Sequence, residues 1–339
     1  MPVEARYWKS VKGILVCQLC PHACALKPEE TGLCRIRRNV QGKLVTLAYG
    51  NPIALSIDPI EKKPLYHFNP GSQSFSMATM GCNLRCLNCQ NYNISQNAPL
   101  DDENHNMAPS ELVKSAILKH CHSISYTYTD PVIYYEYATD IAIKAKEAGL
   151  QNVIVSAGYI SPQPLKEWCN LMDAANIDLK VFDDSILQKL NGIRLAPVLK
   201  TLTALKSAGV WLEITNLLIP GWTDNFNTIE KMCQWLVDNG FADTPLHFSR
   251  FYPTYKLLDV PPTSLSTIEK ACEIARSAGL NYVYSGNITG HETENTYCPS
   301  CKNTLIERQG YTLTGYHLEN GFCRFCGLKI PGQFDGGVM

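Results

Sequence analysis

The run Gly81-Cys82-Asn83-Leu84-Arg85-Cys86-Leu87-Asn88-Cys89-Gln90-Asn91 packs three cysteines into eight residues, with the spacing C-x3-C-x2-C. Three thiolates on one loop can hold three irons of a cubane cluster and leave the fourth iron without a protein ligand. Clusters that only carry electrons are closed by four cysteines. An open metal position suits catalysis, because a substrate or cofactor can coordinate there. A zinc knuckle is the competing reading of the same residues.

The flanking sequence supplies the fold. Residues 74–80 read as a short strand leading into the loop. Further strand signals follow at 124–129, 152–156, 177–182, 211–219, 246–251 and 282–285. Helical patterns lie between most of them. They run over 109–120 with Ser110 as N-cap, 132–148 ending before Gly149, and 164–174. Others run over 197–208 ending before Gly209, 228–239, and 266–278 ending before Gly279. Such alternation implies right-handed βαβ crossovers and a parallel sheet. The expected class is α/β, a full or partial (β/α) barrel, with an open doubly wound sheet as the rival. No glycine-rich dinucleotide fingerprint follows the first strand.

With 339 residues and 45% hydrophobic content the chain can bury a large core, which excludes disorder as a description of the whole. Lys+Arg is 30 against Asp+Glu 31, so the strong basic field of a dedicated nucleic-acid binder is absent. No apolar run is long enough to span a membrane, and the first residues lack a signal-peptide core. The expected location is the cytoplasm.

Fifteen cysteines in a reducing compartment argue for metal ligation rather than disulfides. Besides the central three, Cys17, Cys20, Cys24 and Cys34 form a first group. Cys298, Cys301, Cys323 and Cys326 form a last one, C-x2-C-x21-C-x2-C. The last reads as a zinc-ribbon or rubredoxin-like tetrathiolate for Zn or Fe, stabilising a tail too short to bury its own core. The first suits an auxiliary iron–sulfur cluster or a zinc site, with His22 able to replace one thiolate. The expected organisation is an N-terminal Cys-rich module (1–50), a crossing segment (51–71), a barrel domain (72–290) and a C-terminal module (291–339).

The central loop resembles that of the radical S-adenosylmethionine (SAM) superfamily. The resemblance implies that Cys82, Cys86 and Cys89 hold a [4Fe–4S] cluster whose open iron takes the amino and carboxylate groups of SAM. It further implies reductive cleavage of SAM to a 5′-deoxyadenosyl radical that abstracts hydrogen from a substrate. Where many members have an aromatic residue before the third cysteine, this chain has Asn88.

Further likeness is to pyruvate formate-lyase activating-enzyme-like proteins, and more narrowly to the AmmeMemoRadiSam-system radical SAM enzymes, over roughly residues 8–290. It is carried by the central loop, by residues 17–24 and 32–34, and by Asp58 through Phe68. On its own, Glu61-Lys62-Lys63 would read as a solvated turn. The likeness assigns the segment ending Thr129-Asp130-Pro131 to the SAM amino group; the Ser156 hydroxyl, at the end of the third strand, reads either as a contact to the methionyl or ribose part or as part of a plain polar loop. Alternation puts Asp178 and Lys180 on one strand face; by resemblance the pair binds the SAM ribose and carboxylate. Residues 217–224 resemble the activases' fifth strand and following turn, His247 matches a SAM-contacting histidine, and Arg250 is a further anion contact.

The implied activity is hydrogen abstraction from a protein or peptide, with a flavodoxin- or ferredoxin-like electron donor. The same chemistry on a small molecule or nucleoside is one alternative. A non-catalytic iron–sulfur electron carrier is another.

Overall fold

The computed structural model describes residues 3–99, 105–288 and 290–334. Two compact units emerge. The first comprises residues 1–58, 73–175 and 190–210; the second comprises 59–72, 176–189 and 211–339.

In the first unit, the N-terminal residues make two small antiparallel sheets. Trp8–Val11 pairs with Ile14–Cys17, which pairs in turn with Ala25–Leu26. Lys43–Thr46 pairs with both Val3–Glu4 and Arg37–Val40. The connecting turns, Lys12-Gly13 and Gln41-Gly42, have φ of +50° and +79° at their two residues. This two-residue geometry matches strand twist, and glycine adopts it without a Cβ penalty.

The same unit carries the parallel strands Gln73–Ala78, Ser123–Tyr126 and Gln151–Ser156, with Phe75 and Tyr126 opposite Ile124 and Ile154 respectively. The helices Pro109–Leu118, Tyr135–Glu147 and Pro162–Trp168 follow these strands in turn. Ile124, Tyr126, Val153 and Ile154 are buried, as strands covered on both faces require. Each such side chain contributes about 1.5–3 kcal/mol of apolar burial.

The second unit repeats the pattern with Trp211–Leu218, Leu246–Arg250 and Val283–Gly286, again parallel. Phe226–Asp238 and Leu265–Ala278 are their helices, the latter closed by Gly279 at φ +108°. Its C-terminal part is a hairpin, Thr304–Gln309 with Thr312–Tyr316. Leu305, Ile306, Leu318 and Ile330 share one core with Tyr66, Tyr282 and Tyr284. The tail's core is therefore completed by residues outside the tail. This succession of parallel β/α units, with Cys-rich modules at both ends, is the α/β (β/α)-barrel class expected of the sequence.

Local differences have physical causes. Pro109 takes the first helical position, so Ala108 and not Ser110 is the N-cap; the Glu111 carboxylate accepts the Ala108 N–H at 2.6 Å. The helix expected over 164–174 is Pro162–Trp168, and Ala174 opens the next strand, Ala174–Asp178. That strand begins with two buried alanines, small residues with little intrinsic strand preference. It also ends before Lys180. An unexpected helix, Asp184–Asn191, follows; Asp183 Oδ1 accepts the Ser185 and Ile186 N–H groups, each at 2.9 Å. The crossing segment contains a strand, Ala54–Pro59. Glu61 and Lys63 are buried, not solvated.

Candidate functional site

Gly81 sets the path of the cysteine loop. Its φ is +87°, and a Cβ there would lie 2.5 Å from both the Cys34 carbonyl oxygen and Ile36 Cγ1. Only glycine fits. The loop is then pinned by its backbone and its asparagines. Arg85 N–H donates to the Asn191 carbonyl and Leu87 N–H to the Leu190 carbonyl, both at 2.9 Å. Asn83 Nδ2 donates to the Tyr159 carbonyl at 3.0 Å, and Asn91 Nδ2 to the Tyr128 carbonyl at 2.8 Å.

Each of the three sulfurs has a hydrogen-bonding neighbour. Leu84 N–H donates to Cys82 Sγ at 3.4 Å, Asn191 Nδ2 donates to Cys86 Sγ at 3.1 Å, and the Ser95 hydroxyl pairs with Cys89 Sγ at 3.1 Å. Soft thiolates with donors aimed at them are the environment of an iron–sulfur cluster, whose potential such bonds tune. Burial, reinforced by the charge of Asp130, pushes the Cys82 thiol well up. A bound cation reverses that preference, since a coordinating thiol is deprotonated outright. Two buried acceptors, Asn88 Oδ1 on the loop and Asn191 Oδ1 beside it, have no hydrogen-bond partner among the described residues. They fit a ligand that brings donors, as an ammonium or ribose hydroxyl does. The residues present therefore suit a cluster with a polar ligand beside it.

Asp130 and Ser156 are hydrogen-bonded to each other, and Thr129 is tied to Thr79. Asp130 caps the turn Pro131–Tyr134 by accepting Val132 N–H at 3.1 Å. Its second oxygen accepts Ala157 N–H at 2.9 Å and the Ser156 hydroxyl at 3.0 Å. The Thr129 hydroxyl donates to the Thr79 carbonyl at 2.9 Å. Asp130→Asn puts an NH2 group against one of these donors. The expected loss is about 1–3 kcal/mol, measured by denaturant unfolding; a change under about 0.5 kcal/mol would show that Asp130 does not hold this turn.

In the second unit, Lys180 Nζ and Asp178 Oδ2 form a half-buried ion pair at 2.8 Å. Their backbone is held by Asn216 Nδ2, which donates to the Leu179 carbonyl at 2.7 Å. His247 is buried and its Nε2 meets Glu213 Oε2 at 2.7 Å. Glu213 also accepts the His67 and Tyr66 N–H groups, at 2.7 and 2.9 Å. Glu213 and His67 were not among the expected site residues; a lone glutamate inside the apolar strand Trp211–Leu218 was the available signal. The turn over 217–224 is closed by the Thr223 hydroxyl, which donates to the Leu217 carbonyl at 2.6 Å. Arg250 Nε donates to the Thr263 carbonyl at 2.8 Å.

The two outer cysteine groups differ in shape. All four sulfurs of Cys298, Cys301, Cys323 and Cys326 lie within 4.8 Å of one another. Two of the contacts are 3.6 Å (Cys298–Cys326) and 3.7 Å (Cys301–Cys323). A tetrahedron of thiolates about 2.3 Å from one zinc ion has edges of about 3.8 Å, so this group could hold a single metal ion. The residues just after each knuckle, Lys302 and Gly327, have φ of +62° and +73°, giving the two knuckles the same turn. Asn303 Nδ2 donates to Cys301 Sγ at 3.3 Å and draws that thiol down to about 6.

Cys17, Cys20, Cys24 and Cys34 instead line one pocket together with His22, Arg37 and Asn83. Burial pushes the Cys20, Cys24 and Cys34 thiols up. His22 Nε2 donates to the Asn83 carbonyl at 2.7 Å, which leaves Nδ1 as its sole candidate metal-binding atom.

Comparison with known proteins agrees with this geometry. The family model described as Radical SAM superfamily matches residues 77–236. The chain is 46% identical over 330 residues to the Uncharacterized protein MJ0808 of Methanocaldococcus jannaschii, covering 96% of this chain and 98% of that one. It is 21% identical over 223 residues to the pyruvate formate-lyase 1-activating enzyme of Escherichia coli K12, covering 60% and 89%. Among solved structures it is similar in fold to SuiB of Streptococcus suis bound to precursor peptide SuiA. The TM-score is 0.51 at 15% identity, over 67% of this chain and 51% of that one. No helix of the described residues is long and apolar enough to cross a membrane.

Proposed function

This chain belongs to the radical SAM superfamily and is related to the pyruvate formate-lyase activating enzymes, and from that premise we propose that it abstracts hydrogen from a protein or peptide substrate in the manner of a glycyl-radical activase. The observation that carries the reading is the central loop, with three hydrogen-bonded sulfurs from three cysteines. Cys82, Cys86 and Cys89 would hold a [4Fe–4S] cluster. Bound there with SAM, the cluster supplies one electron to a sulfonium and thereby a carbon radical able to take hydrogen.

The chain's own residues position and desolvate. Gly81 lets the loop turn close against Cys34. Asp130 and the carbonyls around it offer acceptors for an ammonium, with Ser156 and Thr129 holding that segment in place. Asn88 and Asn191 offer buried acceptors that no described residue uses. Asp178, Lys180 and His247 keep the roles toward SAM that the resemblance implies. A polypeptide target is supported by the names of the relatives: one activates another enzyme, and the other was solved with a precursor peptide. The electron donor would be a flavodoxin or ferredoxin, and the location the cytoplasm, where thiolate ligands stay reduced.

The test is anaerobic reconstitution, reduction and assay for 5′-deoxyadenosine, followed by EPR on a candidate partner protein. Expected are 5′-deoxyadenosine and a glycyl-radical signal on the partner. No 5′-deoxyadenosine from a chain with full cluster content would overturn radical chemistry. Cleavage with hydrogen loss traced to a small molecule would overturn the polypeptide target.

A further inference from the structure

We infer that Cys17, Cys20, Cys24 and Cys34 hold a second iron–sulfur cluster rather than a zinc ion, and that it delivers electrons to the three-cysteine loop. The ligand assignment stands on the geometry and charge of the site; the delivery role rests on the function proposed above.

Size separates the two metals. One ion draws four sulfurs into a tight tetrahedron, and the C-terminal group shows that arrangement. Among the described residues no other group of metal-binding side chains is so tight. The N-terminal four nevertheless line a single pocket. A cluster places four irons between its cysteines, so their sulfurs stand farther apart than around one ion. Cysteines that share one pocket without closing to single-ion distance fit the larger group.

Charge is the second observation. Arg37 lines the cavity and is buried, 1% exposed. Its outer nitrogens are used: one donates to the Arg6 carbonyl at 2.7 Å, the other to the Glu136 carboxylate. Its Nε–H, also buried, has no partner among the described residues. A cluster with four thiolates is an anion, with sulfurs able to accept that N–H.

Placement supports the delivery role. The Cys34 carbonyl touches Gly81, the residue before Cys82, and Asn83 of the central loop lines the same cavity. Cys24, half-buried, and Leu33, 39% exposed, also line an open cleft. The site thus meets both solvent and the central loop. A low-potential one-electron donor of the flavodoxin or ferredoxin class would be oxidised by one electron there. The outer cluster gains that electron and passes it on, with no bond made or broken and no proton moved.

The full chain, reconstituted anaerobically, is assayed for iron, sulfide and zinc and by EPR after reduction. Two cubanes mean about eight irons and eight sulfides per chain. Cys20→Ala/Cys24→Ala is expected to lose half of each, to keep its zinc, and to retain an EPR signal that changes when SAM is added. Should that variant misfold, Cys82→Ala/Cys86→Ala/Cys89→Ala decides: it should keep half the iron, in a signal indifferent to SAM. Loss of zinc with unchanged iron in the double variant overturns the assignment, as does no change in either metal or an iron-free triple variant. For delivery, cleavage driven by reduced flavodoxin should fall at least tenfold in the double variant while cleavage driven by dithionite stays within twofold. Equal rates with both reductants would overturn delivery and leave the ligand assignment standing. A wild-type chain that binds both clusters yet cleaves no SAM would overturn the proposed function and not the second cluster.

Discussion

Cys86→Ala is expected to bring SAM cleavage to background while the fold survives. Losing an outer-shell partner of a metal ligand typically costs 10–100-fold in affinity or activity, and losing the ligand itself should cost at least about 100-fold. Cys86 lies on a loop, so no core side chain is removed with it. What the fold does lose is the acceptor of Asn191 Nδ2, a buried side chain whose hydrogen bond to Cys86 Sγ is 3.1 Å long. Leaving that donor unsatisfied costs about 1–3 kcal/mol. The loop's other ties, Arg85 to Asn191 and Leu87 to Leu190, are backbone bonds that the substitution leaves in place. Cys86→Ser separates the two effects. Its hydroxyl can still accept from Asn191, but a hard oxygen is a poor iron ligand. Both variants should lose cleavage and about four irons per chain, and Cys86→Ala alone should lose stability. The measurements are 5′-deoxyadenosine by chromatography, iron content, and a denaturant titration. Cys86→Ala that kept more than about a tenth of wild-type cleavage would show that this sulfur is not a cluster ligand.

The alternation of strands and helices was legible because it is written in periodicity and in terminators such as Gly279, which the structure shows in the left-handed conformation. Elements whose stability comes from packing were not. The strand read over 177–182 was misplaced, since Ala174–Asp178 opens on two alanines, which carry little strand signal. Asp184–Asn191 was missed although Asp183 is a good cap and Leu187 and Leu190 recur at helical spacing. The cysteines sorted by spacing into three groups, yet spacing says nothing about whether four sulfurs close around a point or only line one pocket. The same limit applies to Glu61, Lys63 and His247. A charge in a turn and a histidine on a strand look solvated or free until the partners, here Gly71 N–H for Glu61 and Glu213 for His247, arrive from distant sequence.

Cys301→Ala should act on stability instead of chemistry. The four C-terminal sulfurs are close enough to share one ion, and Cys298 and Cys323 are buried. Removing one ligand leaves three sulfurs without a closed tetrahedron, and metal-binding free energy is folding free energy where the apo site is not preformed. In isolated zinc-finger peptides that amounts to about 10–16 kcal/mol. The loss here should be smaller, several kcal/mol, because Leu305, Ile306 and Ile330 keep a core shared with Tyr282 and Tyr284. Opening should therefore be local. The two knuckles, which close on the Cys298–Lys302 and Cys323–Gly327 backbone bonds, become protease-sensitive, while the Thr304–Gln309 hairpin persists. The bound metal should drop by about one ion per chain, the melting temperature should fall, and SAM cleavage per folded chain should stay within about twofold. If Cys301→Ala instead left the melt unchanged and stopped cleavage, the C-terminal metal would belong to the chemistry, and a purely structural role for it would have to be abandoned.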